Sequence, residues 1–321
     1  MLLVVFSAFL MFGATAQVLN LGWGLWVTEL FVFLGLPLVA LQLLGRPAVP
    51  LGRPTARLVL FGVACGAINY FAWAVPLMSL AEHLFPKSVV ELFSGAKIFE
   101  NLNQIELALI IAGVSVAAPL CEEYFFRGVL QRGLTEWLGL WRGVFLTSLI
   151  FSAIHLDPVG FMARLELGVL FGLLALRTGS LWPGIFAHAA NNLLSTSLYF
   201  LTREAARDEE LLWYVPVALL VIGNLGLLLA WHFRPAHQLE PLVERAPRPL
   251  VMVLRPWAFG AALMLALLLG FDSRGVSLNL FDVMYPVSKE AVAELRGLRA
   301  GARAGEVPLS RYFEQRKKAH Q

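Results

Sequence analysis

The chain has 321 residues, of which 58% are hydrophobic and 15% are charged, with a formal net charge of +3 and a mean hydropathy of +0.71. Soluble globular proteins carry about 25% charged residues, so the composition excludes an ordinary soluble domain. The basic excess comes mostly from Arg residues in short loops between apolar runs. That distribution is typical of helical membrane proteins and not of proteins that bind nucleic acid.

Apolar runs long enough to cross a bilayer, about 20 residues each, follow one another along the chain. They are too long and too uniformly apolar for the alternating strands of a membrane barrel. The sequence therefore predicts an all-α, polytopic membrane helix bundle of about eight or nine spans. The predicted spans are residues 2–18, 22–44, 57–81, 104–124 and beyond, 140–156, 161–177, 181–201, 211–232 and 250–271.

The first run, "MLLVVFSAFLMFGATAQ", ends in the A-x-A-like "ATA" of a signal-peptide cleavage site. It lacks a basic n-region, and another apolar run follows at once. We interpret it as the first membrane helix, and cleavage is the alternative.

The charged segments outside the spans define the predicted domains. Residues 82–104 mix apolar and charged side chains, which predicts a helix lying on the membrane surface. Residues 272–321 contain no long apolar run, and "SKEAVAELRGLRAGARA" predicts one short helix there. We therefore expect a membrane-embedded domain at residues 1–271, with a motif core at 105–200, and a charged C-terminal tail at 272–321.

Loop charges predict the orientation of the chain. Arg residues concentrate in the loops after the even-numbered spans, so the positive-inside rule predicts a cytoplasmic N-terminus. Arg outnumbers Lys 20 to 5, which is typical of a GC-rich genome and favours a bacterial inner (cytoplasmic) membrane. The Arg residues in these loops are Arg46, Arg53, Arg57, Arg132, Arg142, Arg177, Arg234, Arg245 and Arg248.

Ionisable and amide side chains also lie inside the predicted spans. A charge at membrane depth costs several kcal/mol, so each such residue is a functional-site hypothesis. The fourth span carries three of the seven, in the stretch "PLCEEYFFRGVLQRG" from Pro119 to Gly133. The members of this set are Glu122, Glu123, Arg127, His155, His188, Asn191 and Asn192.

Helical spacing separates the two adjacent acids of the fourth span. Glu123 and Arg127 are four residues apart, with the acid first, and can pair on one helix face. Glu122 lies about 100° around the helix and cannot easily share that pair. The spacing therefore predicts that Glu122 is left as the candidate general base.

The fifth and seventh spans carry the remaining candidates. His188 and Asn192 share a helix face and form a pair of hydrogen-bond donors that suits a developing oxyanion. Phe151 and His155 share a face of the fifth span. We expect Glu122 near the cytoplasmic end of its span and His155 near the far end of the fifth, so the pattern predicts a mismatch in their depths.

These residues carry a resemblance to a known family. "EEYFFR" fits the E-E-x-x-x-R motif of the CAAX protease and bacteriocin-processing (CPBP) family, the glutamic intramembrane endopeptidases. "FSAIH" fits the family's F-x-x-x-H motif, and "HAANN" fits its H-x-x-x-N/D motif. The resemblance covers residues 105–200, where "GVLFGLLALRTGSLWPGIFAHAANN" is similar to the family's approach to the last motif.

The resemblance implies a mechanism. Glu122 and His155 would activate a water molecule for attack on a peptide carbonyl. His188 and Asn192 would hold the oxyanion. No metal, cofactor or covalent intermediate is implied.

Other polar residues are given supporting or structural interpretations. The resemblance implies that Glu123 and Arg127 fix the helix and tune the neighbouring general base. Cys121 invites a thiol-protease interpretation, which we disfavour because its surroundings are apolar. Glu29 and Glu166 are interpreted as structural.

The resemblance implies an intramembrane endopeptidase, whose partners are a membrane-associated peptide or protein substrate and the lipid bilayer. One alternative is a catalytically inactive relative that acts as an immunity factor or a membrane scaffold. Another is a metalloprotease with Glu122, His155 and His188 as ligands, which the absence of an H-E-x-x-H motif disfavours.

Overall fold

The computed structural model covers the whole chain, which divides into two compact units, residues 1–258 and 259–321. Within the described residues both units are helical and contain no strand, which confirms the all-α prediction. The described residues are 2–45, 49–94, 99, 102–202, 214–232, 234–235, 289–308, 311–312, 314–315 and 318.

The helices of the first unit match the predicted spans closely. Eight of the nine predicted spans coincide with helices, α4 is a short helix between the third and fourth spans, and the ninth span, 250–271, lies outside the described residues. In chain order the helices are α1 (residues 2–19), α2 (Leu21–Leu43), α3 (Ala56–Leu84), α4 (Lys87–Leu92), α5 (Gln104–Leu138), α6 (Leu140–Ala153), α7 (Phe161–Thr178), α8 (Trp182–Thr202) and α9 (Tyr214–His232).

Three helices in the described part of the chain, α2, α3 and α5, are long and apolar enough to cross a membrane. The count of eight or nine spans therefore stays a prediction. In the second unit the predicted short helix is present as α10, Lys289–Arg303. The predicted domain boundary at residue 271 falls outside the described residues and also stays a prediction.

Helices α2 and α5 start side by side and run parallel. The Asn20 side chain caps α2 by accepting a hydrogen bond from the Trp23 amide at 3.0 Å, and its Nδ2 donates to Glu106 in the first turn of α5 at 3.3 Å. Farther along, Trp26 Nε1 donates to the Leu109 carbonyl at 3.0 Å. These contacts fix the register of the two helices from their N-termini onward.

Helix α5 is much longer than the apolar run predicted. Its 35 residues span about 50 Å at 1.5 Å per residue, against about 30 Å for a hydrocarbon core. Glu122 therefore lies near the middle of its helix. The end of the membrane span, and with it the predicted difference in depth between Glu122 and His155, stays a prediction.

Helix α8 is held in place by glycines of α3. A Cβ added at Gly62 or Gly66 would overlap the backbone of Pro183 or Ala187, respectively. Ala187 immediately precedes His188, so the close contact at Gly66 fixes the position of that imidazole.

Substituting Gly66 by Ala is expected to destabilise the helix bundle by about 1–3 kcal/mol, because the new methyl group forces α3 and α8 apart. The thermal unfolding midpoint in detergent measures the effect. Gly133→Ala is the matched control: it is also helical, and a Cβ there meets nothing within 4 Å. Equal midpoints for the two variants would contradict the close-packing argument.

Candidate functional site

A buried ion pair on α5 forms the centre of the site. Arg127 Nη1 lies 2.7 Å from Glu123 Oε1, and both side chains are almost fully buried. Arg127 Nη2 donates to the Gly168 carbonyl of α7 at 3.0 Å. A Cβ at Gly168 would crowd Ser148 of α6, so glycine lets α7 approach closely enough to accept this bond.

Aromatic rings enclose the guanidinium. Its central carbon lies 4.5 Å from the ring centre of Phe151 and 5.2 Å from that of Phe171. These are cation–π distances, which help to offset the loss of water around a buried charge. The charges of Arg127 and Glu123 therefore neutralise each other, and groups of α6 and α7 surround the guanidinium that α5 carries.

His188 lies between the two adjacent acids. Its Nδ1 is 3.2 Å from Glu123 Oε1, and its Nε2 is 3.9 Å from Glu122 Oε2. The imidazole stacks on Phe171 with ring centres 4.9 Å apart and planes 22° apart. Because a carboxylate accepts only, Nδ1 carries the proton in the bond to Glu123, and Nε2 is the nitrogen that faces Glu122.

Glu122 differs from its neighbour in its bonding. Glu123 Oε1 is engaged by both Arg127 and His188. Glu122 is also buried, yet its Oε2 has no hydrogen-bond partner among the described residues. The 3.9 Å to His188 is too long for a hydrogen bond, although catalytic hydrogen bonds are often long before substrate binds.

His155 lies just after the end of α6 and is exposed. Its Nδ1 is 2.8 Å from the Phe151 carbonyl, so Nδ1 donates and Nε2 is the nitrogen left to accept a proton. The Phe151 ring contacts both imidazoles, with centres 5.3 Å from His155 and 5.8 Å from His188. Phe151 therefore connects the two histidines.

The turn that carries His155 is fixed by local bonds. Leu156 adopts a φ of 53°, a left-handed conformation that is uncommon for a bulky residue. Asp157 Oδ1 accepts from the Val159 amide at 2.9 Å, and Asp157 Oδ2 pairs with Arg164 of α7 at 2.6 Å. Arg164 also donates to the Asp157 carbonyl at 2.9 Å, so the turn is held against the first turn of α7.

Asn192 makes its hydrogen bonds outside the cluster of His188, Glu122 and Glu123. Its Nδ2 donates to the Val114 carbonyl of α5 at 2.9 Å, and its Oδ1 accepts from Asn191 at 3.3 Å. The Nδ2 nitrogen carries two N–H groups, so one of them is left to donate to an oxyanion.

The site's donor set does not resemble a metal centre. Among the described residues, no group of three or more His, Cys, Asp and Glu side chains is arranged to hold a metal ion.

Comparisons with known proteins identify the segment that holds these residues. Residues 104–194 match the model of the family described as type II CAAX prenyl endopeptidase Rce1-like. A relative named "Putative membrane peptidase YdiL", from Bacillus subtilis, is 28% identical over 95 residues, which are 30% of this chain and 38% of the relative. Through this segment the chain is similar to the CPBP family. The comparison with solved structures found no match.

All six residues that the CPBP motifs single out lie inside the matched segment. The family and the apolar helices together support an integral membrane protein and, at family level, a peptidase. The match covers well under two thirds of the Bacillus relative, so a specific activity for this chain is a matter for proposal.

The motifs did not reveal two contributors to this candidate site. Phe171 stacks on His188 and faces Arg127, and the Gly168 carbonyl binds the guanidinium. The available signal was the spacing of Gly168 and Gly172, which predicts a close-packed face of α7 next to Phe171.

Proposed function

We propose that this chain is an intramembrane endopeptidase that hydrolyses a peptide bond in or near the membrane. One observation carries the proposal. Glu122 is buried and faces His188 Nε2 at 3.9 Å, whereas Glu123 is committed to Arg127 and to His188 Nδ1. The site thus contains one carboxylate available for chemistry and one that holds the arrangement.

In the proposed reaction, Glu122 accepts a proton from a water molecule as the water oxygen attacks the carbonyl carbon of the peptide bond. His155 assists through Nε2, since its Nδ1 is used by the Phe151 carbonyl. The tetrahedral intermediate then breaks its C–N bond, and the proton held by Glu122 passes to the leaving nitrogen. A carboxyl and an amino terminus result, and Glu122 is again ionised.

The negative oxygen of the intermediate requires donors. We propose His188 and Asn192 for this role. With Nδ1 bound to Glu123, a second proton on His188 Nε2 makes that nitrogen a donor toward the intermediate. Asn192 would contribute the second N–H of its Nδ2, while the first stays bound to the Val114 carbonyl.

The proposed substrate is a membrane-associated peptide or protein that reaches the site from the bilayer. The loop charges favour a cytoplasmic N-terminus, and the excess of Arg over Lys favours a bacterial inner membrane. No observation favours the inactive relative over the enzyme.

Proteomics of membrane-protein termini tests the proposed function. Cells that produce the wild-type chain are compared with cells that produce Glu122→Gln at equal abundance. We expect new termini that require Glu122. Identical terminus profiles in the two strains would contradict the proposal.

Metal chelators are expected to leave peptide hydrolysis unchanged, because a carboxylate and an imidazole suffice to activate water in this proposal. The rate of reporter cleavage by the protein in lipid vesicles is measured with and without a zinc chelator. Loss of activity that added zinc restores would favour the metalloprotease alternative.

A further inference from the structure

Glu29 of α2 is a buried acid that the proposed mechanism does not use. Its side chain is 2% exposed, and its Oε2 has no hydrogen-bond partner among the described residues. The sequence suggested a structural residue. A structural buried carboxyl is normally satisfied by hydrogen bonds or a counter-ion, so this oxygen calls for another explanation.

The register of α2 and α5 brings Glu29 to the level of Glu122. The Phe33 ring of α2 contacts Phe125 and Phe126 of α5, with ring centres 5.9 and 6.0 Å away. Glu29 is one helical turn before Phe33, and Glu122 is one turn before Phe126. Because the helices run parallel, the two acids lie at the same height, and the segment Thr28–Gly35 packs against Ala118–Glu123, which holds Glu122.

Among the described residues, the elements that pack against the Glu29 segment provide no separate counter-ion. The segment Thr28–Gly35 packs against α1 and against residues 118–131 of α5. Helix α1 has no ionisable side chain. The cation in the α5 segment, Arg127, is already bound by Glu123 and the Gly168 carbonyl. The titratable groups of that segment are Cys121, Glu122, Glu123, Tyr124 and Arg127.

Two neighbouring carboxyl groups in a low-dielectric site cannot both ionise at low cost, and such pairs share a proton. Glu122 Oε2 is likewise without a hydrogen-bond partner among the described residues. A proton between Glu29 and Glu122 would satisfy an oxygen of each.

We propose that Glu29 is a positioning residue of this site, whose carboxyl group shares one proton with Glu122. The pair then carries a single negative charge, and the hydrogen bond from Glu29 aims the Glu122 carboxylate at His188. The proton sharing does not depend on the proposed function, whereas its effect on catalysis rests on that function.

Infrared spectroscopy of the protein in lipid nanodiscs at neutral pH tests the shared proton. We expect a carbonyl stretch of a protonated carboxyl group that Glu29→Gln removes and Glu122→Gln shifts. Glu166→Gln is the matched control, because Glu166 is an acid of α7 with its own partner, Asn69 Nδ2 at 2.8 Å. It should leave the Glu29 band in place. A band that does not respond to Glu122→Gln, or no band assignable to Glu29, would overturn the proposal.

Reporter cleavage tests the positioning role. Glu29→Leu removes the donor and is expected to lower kcat roughly tenfold to hundredfold, the usual worth of a hydrogen bond to a charged group, with KM nearly unchanged. Glu29→Gln keeps an N–H donor and should restore most of kcat. A wild-type kcat in Glu29→Leu would overturn the positioning role. If the wild-type protein cleaves nothing, the proposed function fails, and the infrared result still decides the shared proton.

Discussion

Replacing Glu122 by Gln is expected to lower the rate of peptide hydrolysis roughly 10²–10⁴-fold, the usual contribution of a general base. The amide has nearly the same shape as the carboxylate but cannot take a proton from water. Glu122 Oε2 makes no hydrogen bond within the described residues, so little stability should be lost. Initial rates in lipid vesicles and thermal unfolding midpoints in detergent measure the two effects.

The matched control is Glu123→Gln, the same change one residue along. Glu123 binds both Arg127 and His188, so its substitution should lower the unfolding midpoint as well as the rate. Loss of activity without loss of stability is therefore expected of Glu122 alone. A Glu122→Gln variant that cleaves at the wild-type rate would show that the general-base assignment is wrong.

The spacing of residues along the sequence predicted the contacts that form within a single helix. Glu123 and Arg127 are four residues apart, and the structure has them paired at 2.7 Å, because the geometry of a helix fixes which neighbours can touch. Apolar runs located the helices for the same reason. The end of α5 was left open as "104–124 and beyond", since charged residues from Glu122 onward interrupt the apolar run while the helix continues to Leu138.

Contacts between helices depend on the register of the two helices, which cannot be predicted from a single sequence. Glu29 was therefore interpreted as structural, although the Phe33 contacts bring it level with Glu122. Asn192 fits the spacing of an oxyanion donor, and the structure attaches it to the Val114 carbonyl. The residue types of the site were predictable, and their partners across helices were not.

Substituting Arg127 by Ala is expected to reduce the free energy of unfolding by about 3–5 kcal/mol, the usual cost of stranding one partner of a buried ion pair. Glu123 would keep its charge in an apolar interior. The Gly168 carbonyl would lose its donor, and the space between Phe151 and Phe171 would be left unfilled. A large drop in the unfolding midpoint and a lower folded yield should accompany the loss of activity.

A double substitution separates the ion pair from simple packing. Arg127→Met keeps much of the side-chain volume but strands Glu123, so it should also destabilise the protein strongly. Adding Glu123→Leu removes the stranded charge, and replacing both partners of a buried pair is often nearly neutral. We therefore expect the double variant to unfold at a higher temperature than Arg127→Met. If the second substitution instead adds its own full cost, the two residues do not interact as a pair, and the stabilising role of Arg127 must come from its aromatic and Gly168 contacts.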